Sequence, residues 1–274
     1  MIDDPSETRA PHGLAPNSHR LAFEDAAFLW RDEMRPMRLA AEFAKADLVL
    51  RDWKIRSTVV FFGSARLRPN PADCAPLPPG ASRDATLPAA LYEEARVFAR
   101  RVAAYGEAAF ETSGGAHRDY VVCTGGGPGL MEAANRGAAE AGAPTIGLNI
   151  DLPHEQAPNR WVTPGLSFRF QYFALRKMHF LLRTKALALF PGGFGTLDEL
   201  FDALTLMQTG KIPKIPILMF GADYWRRVVD FDAMADAGTI DPADRDLMHW
   251  VADPQEAWEA LAAHEGLERS AGAD

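Results

Sequence analysis

The chain has 274 residues, 47% of them hydrophobic, and a formal net charge of −8. That suits one large domain with an extension and a real apolar core, and an acidic balance without a long basic run excludes a nucleic-acid or anionic-membrane surface. Two cysteines, seven scattered histidines, a polar acidic N-terminus and no apolar run of spanning length exclude a disulfide scaffold, a metal cluster, a signal peptide and a membrane anchor, so a cytoplasmic protein is expected.

Residues 1–20 lack periodicity and are expected to be a disordered tail, followed by a helical extension over 21–56. Leu21 to Trp53 reads as two helical pieces broken near Pro36, with Phe28, Leu29, Leu39, Phe43, Val49 and Leu50 as packing positions. The main domain is expected over 57–265, with a C-terminal tail over 266–274. It opens with Thr58–Phe62, an apolar run that reads as a buried strand ending in the turn Gly63-Ser64. Leu67 to Pro88 is a Pro- and Gly-rich irregular stretch that holds Cys74, expected to be inert or exposed. Ala89 to Tyr105 has helical spacing.

Tyr120–Thr124 is a second strand that runs directly into Gly125-Gly126-Gly127-Pro128-Gly129-Leu130-Met131-Glu132, with a helix continuing to Ala141. This is not a dinucleotide fingerprint, because Gly125-x-Gly127-x-x is followed by Leu130 rather than Gly or Ala. Cys123 reads as a small core residue. Thr145–Ile150 and Leu166–Phe170 are further strands. Tyr172 to Arg183 is a helix with Phe173, Met178 and Leu181 as expected core, and Arg176 and Lys177 are two cations within an apolar segment. Ile215–Phe220 is another strand, and helices follow around Tyr224–Ala237 and Pro254–Ala263. Alternating strands and helices predict an α/β fold with a doubly wound, mostly parallel sheet.

The most informative stretch is Lys185 to Gln208. A buried strand, Ala186–Phe190, meets Pro191-Gly192-Gly193-Phe194-Gly195, and Leu197, Leu200, Phe201, Leu204 and Met207 then recur at helical spacing. Strand, glycine turn and helix aim unpaired backbone N–H groups and a helix dipole at one point, which favours an anion, most often phosphate. Thr196 can cap the helix or bind a phosphate oxygen. Glu199 can face the same pocket, yet T-x-x-E is also the capping-box pattern. A carboxylate so close to a helix N-terminus is expected to be held ionised, and hence to act as base or charge stabiliser.

Pro191 to Glu199 resembles the PGGxGTxxE signature of the LOG ("lonely guy") family, Rossmann-like nucleotide phosphoribohydrolases long labelled lysine decarboxylases. Arg176-Lys177 resembles the pair that precedes that signature, Gly125 to Glu132 its GGGxxGLM segment, and Gly63-Ser64 its first strand-end turn; the N-terminal helices resemble the longer bacterial branch. The resemblance implies hydrolysis of the N-glycosidic bond of nucleoside 5′-monophosphates (AMP or a cytokinin riboside monophosphate) to free base and ribose 5-phosphate, without metal or cofactor. It implies Arg176 and Glu199 as the catalytic pair, and Gly63, Ser64, Gly126, Gly127, Glu132, Lys177, Gly192, Gly193, Gly195 and Thr196 as substrate or phosphate contacts. It also implies a homodimer or higher homo-oligomer with its interface near the active site. Two other readings are a non-catalytic nucleotide or molybdenum-cofactor carrier of the same superfamily, and a pyridoxal phosphate decarboxylase with Lys177 or Lys185 as the Schiff-base lysine.

Overall fold

The structure is a computed structural model that describes residues 18–70, 72, 74, 87–151 and 157–267; most of the expected N-terminal tail, the centre of the Pro-rich stretch and most of the C-terminal tail lie outside them. The chain divides into two compact units at Leu48/Val49. In the first, Asp25 caps the short helix α1 (Ala26–Leu29) by accepting the Phe28 N–H at 3.1 Å. A 3₁₀ turn at Asp32–Met34 leads into α2 (Arg35–Asp52), so Pro36 falls in the first turn of the second helix, where its missing N–H is harmless.

The second unit is built on seven strands: β1 (Thr58–Phe62), β2 (Val121–Thr124), β3 (Thr145–Ile150), β4 (Ser167–Phe170), β5 (Thr184–Leu189), β6 (Ile217–Phe220) and β7 (Met248–Val251). Their order is β4-β3-β2-β1-β5-β6-β7 and every pairing is parallel, so the sheet is wholly rather than mostly parallel. β7 is the strand missed in the sequence. Its pattern of two buried ends around His249 and Trp250 is that of a short edge strand, without the continuous apolar run that marks β1 and β6.

Helices cover both faces. Val59 and Phe61 point to one side with Phe98, Phe190 and Phe220, whose rings lie 4.2–5.7 Å apart, and this layer is closed by α3 (Leu87–Thr112), α4 (Leu130–Glu140) and α9 (Pro254–Glu265). Phe62 points to the other side and meets Phe180 of α5 (Phe173–Leu181) edge-on at 4.8 Å. α6 (Phe194–Gln208), α7 (Ala222–Val228) and α8 (Phe231–Asp236) follow β5 and β6. The helix expected around Tyr224–Ala237 is thus two helices, because Asp230 accepts the Ala233 N–H and starts a new one. On α5 the expected core residues Phe173 and Met178 are about half exposed, and His179 and Phe180 are buried instead.

α3 and α4 lie so close that a Cβ on Gly137 would sit 2.1 Å from the Arg96 carbonyl oxygen and 2.9 Å from the Arg100 nitrogen. Alanine favours a helix interior over glycine by about 1 kcal/mol, but backbone atoms cannot swing aside as a flexible side chain can. Gly137→Ala is therefore expected to lower stability by about 2 kcal/mol or more, in the range of overpacked cores. Urea unfolding of the two proteins checks this; a variant at least as stable as wild type would refute it.

Candidate active site

The strand order reverses direction between β1 and β5, because the chain builds outward from β1 to β4 and then returns to the other side of β1. In open parallel sheets that reversal opens a crevice at the carboxyl ends of the strands. The ends of β1, β2 and β5 lead into Gly63-Ser64, Gly125–Gly129 and Gly192–Gly195, so all three glycine turns lie along one edge around the crevice. Backbone bonds tie them together: the Ser64 N–H donates to the Pro191 carbonyl at 3.0 Å, and the Leu130 N–H donates to the Ser64 carbonyl at 3.2 Å. Gly129 enters α4 with φ +73°, and a Cβ there would lie 2.5 Å from the Ser64 oxygen. Only glycine serves both demands.

The second turn is held from below by a buried polar network. The Gly126 N–H donates to Thr124 Oγ1 at 2.8 Å, and that hydroxyl donates to Asn135 Oδ1 at 2.7 Å. Asn135 Nδ2 donates to Thr145 Oγ1 at 2.7 Å, while Asn159 Nδ2 reaches both Asn135 Oδ1 at 2.8 Å and the Gly127 carbonyl at 3.0 Å. A network so fully paired fixes the turn, since each lost bond would leave a buried polar group unsatisfied. Asn135 has a visible signal, as a lone amide within the buried stripe of Leu130, Ala134 and Ala138. Asn159 has none.

Arg176 is not a solvated surface cation. Its Nε donates to the Leu148 carbonyl at 2.9 Å, its guanidinium lies 5.2 Å from the Phe180 ring, and Nη2 is 2.8 Å from where a Cβ on Gly125 would be. Glycine at 125 thus makes room for the guanidinium. Lys177, next in sequence, is drawn to α6 by Asp198 at 2.8 Å and Asp202 at 4.0 Å. Glu132, in the first turn of α4, stands 3.9 Å from Arg68.

The N-cap of α6 is Gly193, with no side-chain cap. This removes the capping-box reading. The cap position falls three residues before Thr196, and Glu199 sits nearly two turns into the helix. Thr196 is buried and folds back against Gly192, where a Cβ would come within 2.1 Å of its Oγ1. The N–H groups of Gly193, Phe194 and Gly195 find no acceptor among the described residues, and a Cβ on Gly193 or Gly195 would meet nothing within 4 Å. Phe194 between them is 93% exposed.

Glu199 is only 5% exposed, and its carboxyl accepts no hydrogen bond among the described residues. Burial pushes the carboxyl up to about 7, with the charges of Arg176 and then Lys177 restraining the rise and Asp198 and Asp202 adding to it. The expectation of a carboxylate held firmly ionised is therefore corrected: so far from the helix end the dipole is weak, and desolvation outweighs it. Burial likewise raises the thiol of Cys123, which is wholly buried and reads as core. Cys74 is also buried and accepts the Arg68 N–H at 3.2 Å. Neither candidate Schiff-base lysine fits that role: Asp198 heads the interactions that raise Lys177 despite its burial, and Lys185 pairs with Glu265 at 3.1 Å, whereas the chemistry needs a neutral amine. Among the described residues no group of His, Cys, Asp and Glu could hold a metal ion, and no helix is long and apolar enough to cross a membrane.

The raised Glu199 carboxyl has a stability signature. The folded chain keeps its proton up to about pH 7, whereas the unfolded chain releases it near the ordinary value of 4.5. Between these limits the folded state binds more protons, so stability falls as pH rises and the loss is complete above pH 7, on the order of 3 kcal/mol. Glu199→Gln, which cannot ionise, is expected to melt a few degrees above wild type at pH 8, with the gap closing toward pH 4.5. A variant that melts below wild type at pH 8 would contradict a carboxyl buried at a cost.

Residues 131–261 match the family described as "Possible lysine decarboxylase". The chain is 29% identical over 134 residues to a pyrimidine/purine nucleotide 5′-monophosphate nucleosidase from Escherichia coli, covering 42% of this chain and 28% of that protein. It is 28% identical over 132 residues to a cytokinin riboside 5′-monophosphate phosphoribohydrolase from Arabidopsis thaliana, covering 47% of this chain and 60% of that one. The chain thus spans about a quarter of the first relative's length and three-fifths of the second's. Among solved structures, a molybdenum cofactor binding protein from Rippkaea orientalis aligns with a TM-score of 0.47 at 18% identity, over 77% of this chain and 96% of that one. The matched residues 131–261 contain Arg176, the PGGFGTLDE turn and Glu199, so the similarity to that family takes in the centre of the candidate site.

Proposed function

We propose that the chain hydrolyses the N-glycosidic bond of nucleoside 5′-monophosphates, releasing the free base and ribose 5-phosphate, with residues 57–265 as its catalytic body. The observation that carries this reading is a buried carboxyl, tuned to about 7, close to a pinned guanidinium and to a helix start with three open N–H groups. The relatives' printed activities, on pyrimidine/purine nucleotide and cytokinin riboside 5′-monophosphates, belong to the same reaction class.

In this reading the amides of Gly193, Phe194 and Gly195 take the 5′-phosphate, with Gly63 and Ser64 across the crevice, and remote binding energy sets the ribose over Glu199. The C1′–N bond breaks with its electron pair leaving on the base, and positive charge grows at C1′ and the ring oxygen, as in glycoside hydrolysis. Ionised Glu199 stabilises that charge and takes a proton from the water whose oxygen bonds to C1′; the departing base takes its proton from solvent. Arg176, fixed by the Leu148 carbonyl, holds part of the Glu199 population ionised near neutrality. Glu132, Gly126, Gly127 and Lys177 line the approach, with Lys177 neutralised by Asp198.

A second copy of the chain is the natural cover for α5 and α6. Phe173, Met178, Leu182 and Phe201 are exposed, and a groove of about 1010 Å³ is lined by Lys177, Met178, Leu182, Leu206 and Ile212. We expect a homodimer by light scattering, and Leu182→Asp should shift it toward monomer; a monomeric wild type at assay concentration would count against it.

Two measurements test the chemistry. Nucleoside monophosphates should be hydrolysed at least a hundredfold faster than the matching nucleosides, and comparable rates would discard the phosphate role of the α6 turn. Glu199→Gln should lose about a thousandfold or more in kcat with little change in KM, as expected when a group acts only in the transition state. For wild type, kcat/KM should rise with pH through an apparent value near 7, because the ionised carboxyl is the active form. A variant with near-normal turnover would leave the reaction without this base.

A further inference from the structure

Gly192, at the start of the α6 turn, has its carbonyl bonded to a side chain outside the family motif. The Tyr224 hydroxyl, on α7, donates to the Gly192 oxygen at 2.5 Å. Tyr224 is itself braced: its ring stands edge-on to Trp225 at 5.2 Å, and the fully buried Trp225 donates Nε1–H to the Phe220 carbonyl at 2.9 Å. The β6–α7 turn presses on the same loop, since a Cβ on Gly221 would come within 2.8 Å of Pro191 Cγ. Burial raises the phenol above its ordinary value, so it remains a donor through neutral pH.

The geometry points to Tyr224 as a positioning residue that sets the polarity of the anion-binding turn. The peptide joining Gly192 and Gly193 is trans, so its carbonyl and its N–H point in opposite directions. A phenol that holds the carbonyl on its own side therefore turns the Gly193 N–H to the other side of the loop. Gly192 and Gly193 are the residues with the least resistance to a peptide flip. A flipped peptide would replace a donor with a carbonyl oxygen facing the bound anion, and repulsion would replace attraction. The inference rests on the reading that this turn takes the 5′-phosphate, and it adds a residue that neither touches substrate nor belongs to the glycine motif.

Tyr224→Phe removes one oxygen and keeps the ring against Trp225. Calorimetric titration of the full chain with ribose 5-phosphate is expected to show about tenfold weaker binding for the variant. KM for the nucleoside monophosphate should rise by a similar factor and kcat should change less than twofold, with a melting temperature close to wild type. A merely structural role would instead lower the melting temperature and leave ribose 5-phosphate affinity intact. Equal affinity in wild type and Tyr224→Phe overturns the role of Tyr224 and leaves the phosphate reading standing. A wild-type chain that hydrolyses nucleosides as readily as nucleotides and binds no ribose 5-phosphate overturns both.

Discussion

One backbone hydrogen bond, from the Ser64 N–H to the Pro191 carbonyl, joins the turns after β1 and β5 at the point where the sheet reverses its direction of growth. Adjacent parallel strands normally diverge beyond their last ladder bond to let each chain climb into its own crossover helix. Here the ladder runs past the strands, from the Phe190 N–H to the Phe62 carbonyl and then from Ser64 to Pro191, so the two turns stay in register. The Ser64 carbonyl in turn receives the Leu130 N–H and draws the α4 start to the same place. Three segments far apart in sequence thus share one frame.

Within that frame Glu199 is the element held against its own preference. A carboxyl in this environment forfeits solvation, and two nearby cations return only part of it. Had a capping bond or a direct salt bridge satisfied it, the carboxylate would be ionised well below neutrality and a poor acceptor for a proton. Leaving it without a hydrogen bond keeps its proton affinity near the pH at which such chemistry runs. Arg176 contributes charge: tied to the Leu148 carbonyl over Gly125, its guanidinium lowers the Glu199 carboxyl against the larger effect of burial.

The fold was largely legible because a buried parallel sheet writes itself as apolar runs between helical periods, and Thr58–Phe62 and Ile217–Phe220 needed no tertiary information. β7 escaped for the converse reason, having only its two ends buried. The glycine turns were legible because backbone approach restricts their composition to glycine. The environment of Glu199 was not, since T-x-x-E at a helix start describes a capping box equally well until the helix is seen to begin at Phe194. Lys177 read like Arg176 in sequence, yet the two part company in space, one drawn to Asp198 and the other to a strand carbonyl. Tyr224 and Asn159 carried no pattern, because their partners are carbonyls from segments tens of residues away, a relation that periodicity does not encode.

The acidic balance of the chain constrains how an anion can be drawn in. With a net charge of −8 the long-range field repels a nucleotide. Two of the cations near the crevice are already paired, Lys177 with Asp198 and Arg68 with Glu132. The α6 turn itself offers a set of amides whose partial charges are fixed by the fold and work only at contact distance. In the proposed reading, an anion held by those amides gains little from electrostatic steering and loses little to salt, because the interactions are shorter than the screening length of about 8 Å at physiological ionic strength. The site's discrimination then depends on orientation more than on charge. The proposed role of the Tyr224 hydroxyl follows from this: by fixing the direction of one peptide it would act where a cation otherwise would.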